Sequence, residues 1–100
     1  MPARYLFRGK ARDEFVELPV KVREEFLYAI HGLLFQPFRP GPGYRVKELR
    51  EAAGLWRLRL SAYPGVRAYY SVDGDVLRVY GFGPRREFYD KLREKDRLQR

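Results

Sequence analysis

Apolar and polar side chains alternate in three short runs between Leu55 and Phe82, the period of two that a pleated strand imposes. In Leu55 to Leu60 this puts Trp56, Leu58 and Leu60 on one face and Arg57 and Arg59 on the other, one side greasy and one cationic. Val66 to Val72 and Val76 to Phe82 read as the second and third strands. The joints carry turn chemistry. Tyr63-Pro64-Gly65 offers a proline with preset φ before a glycine that tolerates positive φ, which predicts a type II turn. Asp73-Gly74, between Val72 and Asp75, predicts a two-residue hairpin turn, because primed turns need positive φ at their centre.

Upstream the period changes. Tyr5-Leu6-Phe7 reads as a short strand joining a sheet edge. Ala11, Phe15 and Leu18 fall at i, i+4 and i+7, one face of a short helix that Pro19 ends. Val22, Phe26, Ile30, Leu33 and Leu34 continue that spacing through a longer helix, with Lys21, Arg23, Glu24 and Glu25 on its wet side. Gln36 to Gly43 holds three prolines and two glycines and must be a loop. Tyr44 to Glu51 fits neither period cleanly; Val46 and Leu49 are its expected anchors, with Lys47, Glu48 and Arg50 exposed. Phe88 and Leu92 give a C-terminal helix a small apolar face. The expected architecture is α+β in a single domain over residues 1–100: an N-terminal strand and two-helix hairpin packed on an antiparallel sheet, with a short C-terminal helix. The Trp56 face forms the core and the cationic face stays open, exposing Tyr69, Tyr80 or Phe82.

Charge sharpens that picture. The net charge is +8, and residues 43–100 hold 14 basic and 8 acidic side chains against 7 and 5 in residues 1–42, so the excess follows the strands. A basic surface attracts polyanions, and nucleic acid is the commonest in the cytosol. The chain has no cysteine, which excludes disulfides and thiolate metal sites. No apolar run is long enough for a bilayer, and MPARYLFRGKARDEF lacks the features of a signal peptide, so a cytoplasmic protein is expected. His31 is the only histidine, which excludes a multi-histidine metal site, and it falls on a helix far from the basic strands. Asp73 and Asp75 are explained by the hairpin turn, and Gly81-Phe82-Gly83 lacks the Lys-Ser/Thr ending of a phosphate loop, so neither metal nor cofactor is expected.

What remains is a constellation of Arg57, Arg59, Arg67, Arg85 and Tyr89. Like charges crowded on a strand face repel unless an anion neutralises them, and an RNA phosphate is the expected anion. Cleavage by the RNA's own 2′-hydroxyl requires deprotonation of that hydroxyl, stabilisation of a dianionic phosphorane and protonation of the leaving oxygen. Arginine forks suit the second task, and Tyr89 can stack on a splayed base.

The strand Leu55-Trp56-Arg57-Leu58-Arg59, the strand Val66-Arg67-Ala68-Tyr69-Tyr70 and the ending Phe82-Gly83-Pro84-Arg85-Arg86-Glu87-Phe88-Tyr89, with Leu18-Pro19 before the long helix and Gln36-Pro37-Phe38 after it, resemble the RelE/ParE superfamily of toxins from type II toxin-antitoxin pairs. The resemblance spans almost the whole chain and favours the RelE-like branch. It implies a ribosome-dependent endoribonuclease that cuts messenger in the A site and needs no cofactor. Arg57 and Arg59 fall where RelE carries lysines, Arg67 at its strand arginine, Arg85 at its second arginine and Tyr89 at its tyrosine; Arg86 joins these in RNA binding. Arginine holds its proton too tightly for an ordinary general base; some members of the family use a glutamate or histidine instead, and the resemblance makes Glu48 or Glu51 the candidates for that role here. The implied partners are a cognate antitoxin and ribosome-bound mRNA, with no membrane and with DNA reached only through the antitoxin. The alternatives are a non-enzymatic ParE-like inhibitor of DNA gyrase and a plain RNA-binding module.

Overall fold

The computed structural model of the protein describes residues 2–50 and 52–83. In chain order the elements are β1 (Arg4–Phe7), α1 (Ala11–Glu17), α2 (Val20–Phe35), β2 (Tyr44–Glu48), β3 (Trp56–Leu60), β4 (Arg67–Asp73) and β5 (Val76–Gly83). The five strands form one sheet in the order β1-β5-β4-β3-β2. The helices carry the chain from one sheet edge to the other, and the antiparallel meander β2 to β5 then returns it strand by strand. That return brings β5 beside β1 in the same direction, with Tyr5 opposite Leu77 and Phe7 opposite Val79. The expected antiparallel sheet is therefore mixed: parallel neighbours need a long crossover, and the two helices supply it. The expected C-terminal helix at Phe88 and Leu92 lies outside the described residues.

The two helices break where the apolar spacing says they should. Leu18 takes an extended conformation before Pro19, the bias that proline imposes on its predecessor. Val22, Phe26, Ala29, Ile30 and Leu33 bury the inner face of α2 against Leu58, Leu60, Ala68, Tyr70, Leu77, Val79 and Phe82 of the sheet. Trp56 shares that side but sits at its margin, half-buried and stacked on Phe38 with ring centroids 4.7 Å apart. Tyr44 closes the core at the β2 edge. A methyl group on Gly32 would come within 3.1 Å of its Cζ, and one on Gly41 within 2.7 Å of its Cε1, which explains a glycine in mid-helix.

Both turns lie where expected but differ in type. Val66 N–H donates to Tyr63 C=O, closing the turn at Pro64-Gly65, yet Gly65 is not among the glycines with positive φ, so it is not type II. In the hairpin Asp73 pairs with Val76, which makes Gly74-Asp75 the two-residue loop. With φ 62° at Gly74 and no positive φ at Asp75, it has the type II′ pattern, one residue later than the sequence suggested.

One irregularity redirects a side chain. The β4–β5 register shifts between Tyr69, opposite Gly81, and Tyr70, opposite Val79, so β5 carries an extra residue. Strict alternation from Leu77 and Val79 would aim Phe82 at the open face. The bulge turns it inward, 5% exposed, among the rings of Phe7, Phe15 and Phe26 at centroid distances of 5.7, 5.3 and 5.0 Å.

The Gln36 to Gly43 loop is bolted to the sheet by Tyr70, whose phenol donates to the Pro37 carbonyl. Burial, with the neighbouring Tyr44, pushes the Tyr70 phenol well above its ordinary 10.0; burial and Tyr28 raise Tyr44 in the same direction. A phenol whose pKa is raised by folding contributes stability that is intact below about pH 10 and is lost as pH rises through the folded value. Chemical denaturation should therefore show a falling midpoint above about pH 10. Tyr70→Phe should cost about 1 kcal/mol at neutral pH and flatten the alkaline fall. An equally steep fall in the variant would assign the alkaline sensitivity elsewhere.

Candidate functional site

Strand register builds the site. Arg45 of β2 stands opposite Arg59 of β3, and Arg59 opposite Arg67 of β4, so three guanidinium groups form one row across three strands. Two residues along β3, Lys47 stands opposite Arg57, and Arg57 opposite Tyr69. By strand parity both rows lie on the face turned away from the helices, since Leu58, Leu60, Ala68 and Tyr70 take the other. Three cross-strand pairs are thus like-charged, each an arrangement that costs roughly 0.2 to 1 kcal/mol against a neutral pair. Such a surface is unfavourable alone and favourable beneath an anion.

Burial differs along the rows. Arg45 and Lys47 are exposed at the sheet edge, while Arg57, Arg59 and Arg67 are half-buried. The Arg67 Nε is buried and has no hydrogen-bond partner among the described residues. Arg45, Val46, Lys47, Arg57 and Arg59 line a hollow of about 250 Å³ with no carboxylate among the described residues of its wall. The ion pair found among the described residues, Arg78 with Asp73 at 3.0 Å, lies at the hairpin end of the sheet.

This face is only partly open. Leu49 and Leu55, from the segment joining β2 to β3, fold over Tyr69, with Ala52 and Tyr80 at the margin. Tyr69 is consequently 0% exposed and Phe82 5%, against the expectation that they line an open surface; Tyr80 is half-buried and hydrogen-bonds Ser71 at 2.8 Å. Leu49 does anchor its segment, but on the far side of the sheet from the helices.

Of the residues expected in the site, Arg57, Arg59 and Arg67 are brought together. Arg85, Arg86 and Tyr89 lie outside the described residues, the last of which, Gly83, stands opposite Arg67. Glu48 pairs with Trp56 and so shares the helix-side parity of Val46 and Tyr44, which removes it from the cationic face. Glu51 is not described. His31 is exposed on α2 with its ring edge-on to Tyr5, on the helix layer. Among the described residues no group of three or more histidine, cysteine, aspartate or glutamate side chains could hold a metal ion. No helix there is long and apolar enough to cross a membrane.

Sequence pattern alone does not single out Arg45 and Lys47. Their signal is present: Tyr44-Arg45-Val46-Lys47 alternates apolar and basic as Trp56 to Leu60 does, but over too few residues beside a proline-rich loop to stand out.

No family model matches the chain, and no curated protein matches it. Solved structures do. A double mutant of the Escherichia coli RelE toxin in the free state superimposes with a TM-score of 0.75 at 23% identity, over 95% of this chain and 98% of the other. The archaeal RelE-RelB complex from Pyrococcus horikoshii gives 0.67 at 24% identity, covering 86% and 98%. A YoeB/ParE toxin from Agrobacterium tumefaciens gives 0.68 at 21% identity, covering 82% and 98%. The chain therefore has the RelE-like fold, two helices on a five-stranded mixed sheet.

Proposed function

We propose that the protein is the toxin of a type II toxin-antitoxin pair and a ribosome-dependent endoribonuclease that cuts messenger RNA in the A site through its 2′-hydroxyl. The observation that carries this reading is the double row of cations on β2, β3 and β4, held in direct like-charge register on a fold similar to RelE toxins. Arg59 and Arg67 hold the scissile phosphate and stabilise the charge that grows on it, and Arg57 flanks them. From the chain's continuation, Arg85 adds a second transition-state donor, Arg86 a phosphate contact, and Tyr89 a stacking surface for a base. With Glu48 on the other face, Glu51 is the remaining candidate for the general base, and catalysis draws besides on electrostatic stabilisation and on the ribosome's positioning of the messenger.

The solved RelE-RelB complexes support a cognate antitoxin as partner, one whose acidic surface covers the cationic face while the toxin waits in the cytoplasm. DNA is reached only through that antitoxin. The similarity to a YoeB/ParE toxin keeps a gyrase inhibitor as the competing reading. Pulse labelling after induced expression separates the two. Incorporation of labelled methionine should stop before that of thymidine, and the reverse order would favour gyrase.

A further inference from the structure

We infer that the β2 edge is a second nucleotide subsite: Arg45 and Lys47 hold the phosphate next to the scissile one, and a neutral hollow around the edge takes its nucleoside. The inference rests on the RNA reading above and extends it beyond the residues that reading uses. Two hollows meet at β2 and share Arg45 and Val46 in their walls. The first, on the cationic face, is ringed by Arg45, Lys47, Arg57 and Arg59. The second, about 560 Å³, is completed by Pro40, Gly41, Gly43, Tyr44 and Ser61, and among the described residues its only charged wall residue is Arg45. A cationic compartment opening into a neutral one matches the charge distribution of a nucleotide.

The surrounding structure holds this shape. Ser61 N–H donates to Gly43 C=O at 2.9 Å, tying the loop to the end of β3, and the Tyr44 ring fills the space between Gly32 and Gly41 behind the wall. Among the described strands β2 is at the sheet edge, so one side of its backbone has no strand partner there and can meet the hydrogen-bonding edge of a base. A single strand with splayed bases can wrap such an edge, whereas a duplex cannot present a base there.

The test measures binding of fluorescent oligouridylate to the full chain by anisotropy across a salt series. The wild type should bind long oligomers with a steep salt dependence. Arg45→Ala/Lys47→Ala should lower that slope by about 0.7, the amount for the one single-strand phosphate no longer neutralised. Ser61→Trp, which fills the neutral hollow without changing charge, should weaken binding of long oligomers, leave the slope unchanged and leave the shortest oligomers unaffected. Lys10→Ala/Lys21→Ala, on the helix layer, should match the wild type, and melting curves confirm that each variant folds. An unchanged slope in Arg45→Ala/Lys47→Ala, with binding abolished in Arg67→Ala, would overturn the subsite and spare the RNA reading. No salt-dependent binding by the wild type would take down both readings, and tight binding of polyglutamate in its place would make the edge a dock for an acidic peptide.

Discussion

Arg59→Ala should slow messenger cleavage by on the order of 100 to 1000 fold, the usual consequence of losing one preorganised transition-state donor. The same protein should be at least as stable as the wild type. Arg59 stands at the centre of the cation row, opposite Arg45 on one side and Arg67 on the other, so its removal relieves two like-charge pairings at once. Relief of roughly 0.2 to 1 kcal/mol per pair offsets the packing that a half-buried side-chain stem supplies. Single-turnover cleavage on programmed ribosomes and urea denaturation of the same preparation read the two effects separately. Loss of activity through unfolding, or retention of both activity and stability, would show that the row is not the anion site.

Phe82→Ala should be the most damaging single truncation on β5, at about 3 to 5 kcal/mol, the usual loss for a buried phenylalanine. Its ring touches Phe7 of β1, Phe15 of α1 and Phe26 of α2, so the cavity would open where the sheet edge and both helices meet. Against a total stability of about 5 to 15 kcal/mol, that is enough to leave much of the protein unfolded at physiological temperature. Trp56→Ala should cost less, because that ring is half-buried and one of its neighbours, Phe38, is itself exposed. The reverse order in denaturation midpoints would mean that the bulge does not turn Phe82 into the core.

Those two residues also mark where the amino-acid pattern stops being sufficient. Alternation in Leu55 to Leu60 correctly sorts Leu58 and Leu60 from Arg57 and Arg59, since nothing interrupts the period of β3. It fails at Phe82 because an extra residue reverses parity, and that residue is visible only once β4 and β5 are paired. Tyr69 departs from expectation for a different reason. Its parity is as expected, but it is covered by Leu49, from a segment with no clear period, and by Leu55, just ahead of β3. The parallel β1–β5 pair follows from topology, which local pattern does not encode. The cation cluster of the candidate site is legible in its middle, at Arg57, Arg59 and Arg67, and hidden at the β2 edge, where Arg45 and Lys47 sit in too short a run to announce a strand.

The most direct measurement is primer extension on a defined messenger bound to ribosomes with an empty A site, with and without the protein. Cleavage should appear within the A-site codon, leave a 2′,3′-cyclic phosphate on the upstream fragment, and disappear when the same messenger is free of ribosomes. Full-length extension products under all conditions, together with loss of gyrase supercoiling at the same protein concentration, would contradict the nuclease account and assign the RelE-like fold here to a gyrase inhibitor.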